Sequence, residues 1–88
     1  MIRLSGTLTC PPERRQAVRA ALPRHIELSR AEPGCLTFEV HETHPGTFAV
    51  SETFTDRAAF DAHQSRTRDS DWAQITQGLP RAYSLAEE

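Results

Sequence analysis

Residues 35–55 read CLTFEVHETHPGTFAVSETFT, and they decide the fold. On either side of Pro45-Gly46 the apolar residues recur at every second position, the period of a half-buried strand. Leu36, Phe38 and Val40 share one face of the first run, and Phe48, Val50, Glu52 and Phe54 share one face of the second. The two runs predict a hairpin over 35–43 and 47–55. An odd number of loop residues places Leu36 opposite Phe54 and Phe38 opposite Glu52, so that both apolar rows face one core. A two-residue loop would split them across the sheet, so the odd loop is expected.

Upstream, residues 2–10 also alternate, with Ile2, Leu4, Leu8 and Cys10 opposite Arg3, Ser5, Thr7 and Thr9. Pro11 and Pro12 end that strand and suit the first turn of a helix. From Glu13 the spacing changes to three or four residues through Ala17, Val18, Ala21, Leu22, Ile26 and Leu28, an amphipathic pattern. Pro23 falls inside it and predicts a kink near Leu22, and Pro33-Gly34 predicts the stop. Downstream, Thr55 or Asp56 caps a helix over about 56–66 with Ala59, Phe60 and His63 inward. Asp69 or Ser70 starts a shorter helix carrying Trp72, Ile75, Thr76 and Leu79, which Pro80 ends, and residues 81–86 form a last strand. The order β-α-β-β-α-α-β is the split-βαβ pattern of a ferredoxin-like α+β domain with a four-stranded antiparallel sheet. Its helices cover one face. The other carries Thr7, Thr9, Thr37, Glu39, His41, Ser51 and Thr53, and a second subunit is expected to cover it as a homodimer.

Bulk properties narrow the function. Eighty-eight residues hold one domain, spanning 1–88, with a thin core. A net charge of −2 shows no basic excess for nucleic acid. No apolar run reaches the length of a spanning helix, and no leader pattern opens the chain, so no membrane is expected and the cytoplasm is the expected compartment. Cys10 and Cys35 are too few and too far apart for a disulfide framework, and both read as small buried thiols. No P-loop, dinucleotide fingerprint or nucleophile elbow occurs. His41 and His44 alternate to opposite faces, and His25 stands alone on the first helix, so no metal site is expected.

The unusual placement is Glu52, a carboxylate among Phe48, Val50 and Phe54 on the core face. Such a group must be hydrogen-bonded, paired or set at the rim of a cavity. His63 is inward on the helix that crosses that face. A Glu and a His meeting in an apolar cleft form either an acid–base pair, with proton affinities drawn toward neutrality, or a buried tie between helix and sheet. Phe38, Phe54, Phe60, Trp72 and Tyr83 supply the aromatic surface, which suits a planar apolar ligand.

The run Ser29-Arg30-Ala31-Glu32-Pro33-Gly34-Cys35-Leu36, the strand with Phe38, the segment Phe48…Glu52-Thr53-Phe54 and the helix Ala59-Phe60-Asp61-Ala62-His63 resemble the antibiotic biosynthesis monooxygenase family, including its small quinol monooxygenases, nearly end to end. The resemblance implies a dimeric α/β-barrel assembly with a pocket between sheet and helices. It also implies oxygenation of a small phenolic or quinol-type aromatic by O₂ with no cofactor and no metal. Carried over, Glu52 and His63 are the catalytic pair, and Phe38, Phe54, Phe60 and Trp72 line the substrate. Family members often carry Trp two residues after the strand Glu, where this chain has Phe54. The haem-degrading relatives use an Asn-Trp-His set, and this chain has no Asn, so haem cleavage by that set is not expected. A non-catalytic small-molecule-binding or dimerisation module on the same fold is the alternative, and an isomerase or cyclase a third.

Overall fold

The computed structural model describes residues 1–88. Its elements run β1 (Ile2–Thr9), α1 (Pro12–Arg30), β2 (Cys35–His44), β3 (Thr47–Phe54), α2 (Arg57–Arg68), α3 (Asp71–Ile75) and β4 (Arg81–Glu87). The strands form one antiparallel sheet in the order β2-β3-β1-β4. This is the ferredoxin-like α+β arrangement, with the three helices on one face. No helix is long and apolar enough to cross a membrane.

The core lies between the helices and the inner sheet face. Phe38, Phe48, Phe54, Ile2, Leu8 and Val18 are its most completely buried apolar residues. Each large apolar side chain so enclosed contributes about 1.5–3 kcal/mol from surface removed from water. Asp56 caps α2 by accepting a hydrogen bond from the Ala59 N–H at 2.9 Å. Ser70 caps α3 in the same way from the Ala73 N–H at 3.3 Å. Arg14, near the start of α1, donates to the Ile75 and Gln77 carbonyls at 2.6 and 3.0 Å, where a cation meets the exposed acceptors of a helix C-terminus.

Two details depart from the sequence expectations. The β2–β3 turn does hold two residues, Pro45 and Gly46, between the paired His44 and Thr47. A register shift between Glu42 and His44 adds the odd residue, so Phe38 still faces Glu52 and Val40 faces Val50. The bulge does what a longer loop was expected to do. A second shift, between Cys35 and Thr37, gives Cys35 the place opposite Phe54 that Leu36 was expected to hold, and Leu36 is left 54% exposed. The helix α1 continues through Pro23 as one element and ends at Arg30, before Pro33-Gly34. The inward stripe of α1 is Val18, Leu22, His25, Ile26 and Ser29, whereas Ala17 lies exposed. Two polar residues are therefore turned toward the sheet.

Candidate active site

Glu52 sits in the middle of β3, paired with Leu4 on one side and Phe38 on the other, so its side chain points to the helix layer. It is 7% exposed. The floor beneath it is apolar, and burial drives its carboxyl up from the usual 4.5 to about 7, with the Glu32 carboxylate adding a smaller push in the same direction. The Nε2 of His63, one turn after Phe60 on α2, stands 3.5 Å from the Glu52 Oε1.

The other ring nitrogen of His63 is fixed by the loop after α1. Its Nδ1 lies 2.6 Å from the Glu32 Oε1. The Arg66 Nε donates to the Glu32 Oε2 at 2.9 Å, and the Arg66 Nη2 donates to the Ser29 Oγ at 2.9 Å. Burial works against the Glu32 charge, but the bonds from Arg66 and His63 outweigh it and hold this carboxyl below its usual range. An ionised carboxylate only accepts, so the His63 Nδ1 carries the hydrogen and the Nε2 is aimed at Glu52. Gly34 makes this approach possible. Its φ is +84°, and a Cβ there would stand 2.5 Å from the Ala59 Cβ, so no other residue lets α2 come so close to the Glu32 loop. Glu52, His63 and Glu32 form a chain rather than a ligand cluster, and no group of three or more His, Cys, Asp or Glu side chains is disposed to hold a metal ion.

His25 completes the wall. Its ring stacks on Trp72 with centroids 4.7 Å apart and planes within 6°, and it meets Phe38 edge-on at 5.3 Å. Its Nδ1 is buried without a partner. Burial, reinforced by the nearby Arg66 cation, drives its proton affinity down from 6.5 to about 3, so the imidazole is neutral at ordinary pH. These residues border a cavity of about 380 Å³ whose buried side carries Leu4, His25, Glu52, His63 and Trp72. That volume falls within the range of small-molecule sites.

Residues 1–74 match the family profile described as antibiotic biosynthesis monooxygenase. The chain belongs to the antibiotic biosynthesis monooxygenase family. An uncharacterized protein of Synechocystis sp. is 33% identical over 64 residues, which cover 70% of this chain and 44% of that protein, so the chain spans less than half of this relative's length. Among solved structures, a Deinococcus radiodurans protein assigned to the same family superposes with a TM-score of 0.81 over 100% of this chain and 92% of its own, at 24% identity. Rv0793 from Mycobacterium tuberculosis gives 0.78 over 99% and 93%, at 25% identity. A Nitrosomonas europaea protein of the family gives 0.81 over 100% and 98%, at 18% identity. At these low identities the structural likenesses speak to the fold.

Within this antibiotic biosynthesis monooxygenase domain, Glu52, His63 and Trp72 border one cavity. The other three residues expected to line a substrate do not. Phe38, Phe54 and Phe60 are buried behind the cavity wall, where Phe54 meets Phe60 edge-on at 5.6 Å and lies 5.1 Å from the His63 ring. Phe38 and Phe54 support the imidazole from behind, and Phe60 backs Phe54. The sequence reading missed Glu32, Arg66 and His25. Glu32 was legible as part of the Glu32-Pro33-Gly34-Cys35 run, but its partner lies 31 residues downstream. The position of His25 three residues after Leu22 and seven after Val18 was the available signal for an inward stripe.

Proposed function

We propose that this protein is a monooxygenase that oxidises a small phenolic or quinol-type aromatic with O₂ and no bound cofactor. The observation that carries the reading is a buried carboxyl, drawn to about 7, beside an oriented imidazole on the wall of a cavity with an aromatic side. A carboxylate of ordinary strength is a poor base toward a phenol. Raising its proton affinity narrows the gap, and the neutral and ionised forms are then both populated near pH 7.

In the proposed reaction, ionised Glu52 accepts the phenolic proton. The electron-rich phenolate then gives up electrons to O₂, one at a time, and a C–O bond forms at a ring carbon that bears hydrogen. Glu52 returns its proton to the peroxide. The ring C–H proton leaves, the O–O bond breaks, and the carbon becomes a carbonyl as water departs. One oxygen atom enters the quinone and the other leaves as water, so phenol plus O₂ balances quinone plus H₂O. The unprotonated Nε2 of His63 accepts from the Glu52 carboxyl once that carboxyl holds the phenolic proton, and so keeps it turned toward the peroxide it reprotonates. Leu4 and Trp72 at the buried end limit the water that reaches the phenolate.

The homodimer forms part of the same reading. The outer sheet face presents Thr7, Thr9, Thr37, Glu39, His41, Ser51 and Thr53, and Thr37 and Thr53 bond to each other at 2.6 Å. This broad β-rich surface suits a second copy of the chain.

Oxygen uptake with a panel of hydroquinones, naphthols and anthrones tests the reaction. Uptake above background with equimolar water and quinone, reduced at least about 100-fold in Glu52→Gln and in His63→Ala, is the expected result. Ligand binding without product from any compound would assign the cavity to binding alone.

A further inference from the structure

The proposed reaction uses only the buried end of the cavity, and the open end is chemically different. There the lining comes from Gln64, Arg68, Gln77, Arg81 and Tyr83, of which Arg68, Gln77 and Arg81 are exposed and Tyr83 is 38% exposed. Two guanidiniums therefore stand at one mouth. Glu52 is the one acid along the entire lining, and it is deep and largely protonated below about pH 7.

These arginines differ from others in the chain. Arg3, Arg19, Arg24, Arg57 and Arg66 each sit within 4 Å of a carboxylate oxygen. Arg68 and Arg81 pair with none, and unlike the equally unpaired Arg14, Arg15 and Arg30 they line this cavity. Arg81 is nevertheless held in place. Its Nη2 donates to the Thr76 Oγ1 at 2.8 Å and its Nη1 donates to the Leu79 carbonyl at 3.1 Å. Thr76 is fully buried and donates in turn to the Trp72 carbonyl at 2.7 Å. Two of the five guanidinium N–H groups make these bonds, the neighbouring Tyr83 hydroxyl also lies within the influence of the guanidinium, and N–H groups remain for a ligand. A long side chain anchored this way loses freedom that a merely solvated arginine keeps. The charge is preorganised.

We infer that the substrate of this site carries a carboxylate, which the Arg81 and Arg68 guanidiniums receive at the cavity mouth while the phenolic oxygen reaches Glu52 at the buried end. The inference rests on the phenol-oxidising reading and names its substrate class as a hydroxylated aromatic acid of one or two rings. The planar fork of Arg81 matches a carboxylate in shape as well as charge. The same positive field favours the phenolate when Glu52 takes its proton.

Trp72, the single tryptophan, lines the cavity and reports on its occupancy by fluorescence. The probes are 4-hydroxybenzoate against phenol and 4-hydroxybenzyl alcohol, and 1-hydroxy-2-naphthoate against 1-naphthol. The acids are expected to bind roughly tenfold tighter, or more, than their neutral partners at low salt. The preference should shrink as ionic strength rises and collapse in Arg81→Gln and Arg68→Gln, with Arg81→Lys retaining part of it. Circular dichroism shows whether each variant is folded, and Arg68, exposed in the last turn of α2, provides the arm least dependent on folding. Equal affinity for acids and neutral compounds, binding by neither, or a preference that survives both substitutions would overturn the inference. Oxygen uptake is followed separately. Acid preference without uptake refutes the oxygenase reading and leaves the inference standing, and uptake on neutral phenols without preference does the reverse.

Discussion

Replacing Glu52 with Gln should stabilise the protein at alkaline pH. The carboxyl has a proton affinity of about 7 in the folded chain against an ordinary 4.5, so the folded state holds this proton more tightly than the unfolded state. A group raised in this way favours folding fully below about pH 4.5, and the benefit disappears as pH rises through 7. At about 1.36 kcal/mol for each pH unit, the gap amounts to about 3 kcal/mol. The Glu52 side chain is only 10% exposed, so solvent screens little of this. A domain of this size has about 5–15 kcal/mol in total, so the loss is large. His25 runs the other way. Its affinity is lowered from 6.5 to about 3, so its contribution is present above 6.5 and lost as pH falls toward 3. The two windows overlap between 4.5 and 6.5 and flatten the wild-type profile, so the informative quantity is the difference between variant and wild type. Urea unfolding at fixed protomer concentration from pH 4 to pH 8 measures it. Glu52→Gln should match wild type near pH 4 and gain up to about 3 kcal/mol by pH 8. A variant less stable than wild type at pH 8, or a gap that does not change with pH, would refute a desolvated carboxyl at this position.

Glu32→Gln keeps the shape of the Glu32 side chain but removes the charge that orients His63 and binds Arg66. It should lower turnover by about tenfold and stability by about 1–3 kcal/mol, read by oxygen uptake and urea unfolding. Phe54→Ala opens a hole behind the His63 ring and should cost about 3–5 kcal/mol, measured by the same unfolding assay. Ser51→Arg puts a charged side chain at the centre of the outer sheet face, between Ser5 and Glu39. It should turn the proposed homodimer into a monomer in sedimentation velocity while the circular dichroism spectrum stays that of a folded chain.

Much of this site was legible because its two central residues obey local periods. Glu52 falls on the core face by simple alternation from Phe48, and His63 falls on the inner face of α2 one turn from Phe60. Those periods do not depend on distant parts of the chain. The remainder of the site does. Glu32 and Arg66 meet only because Gly34 lets α2 close on the loop, and no spacing within either segment encodes that approach. His25 was overlooked because Ala17 and Ala21 fit a helical stripe as well as Val18 and Leu22, and small residues leave the rotation of a helix undetermined. Phe38, Phe54 and Phe60 were expected on the cavity wall because aromatic content indicates burial without indicating depth. Leu36 was displaced by a bulge, which a strict period of two cannot anticipate.

The central claim is that Glu52 acts as the base for an oxygen-consuming reaction. The most direct test is the pH dependence of kcat/KM for oxygen uptake with the best hydroxylated aromatic found for the site. The rate should rise with pH and level off with an inflection near 7 as Glu52 ionises, and this inflection should vanish in Glu52→Gln along with most of the activity. A wild-type profile that is flat between pH 5 and pH 8, or an inflection that persists in the variant, would contradict the account.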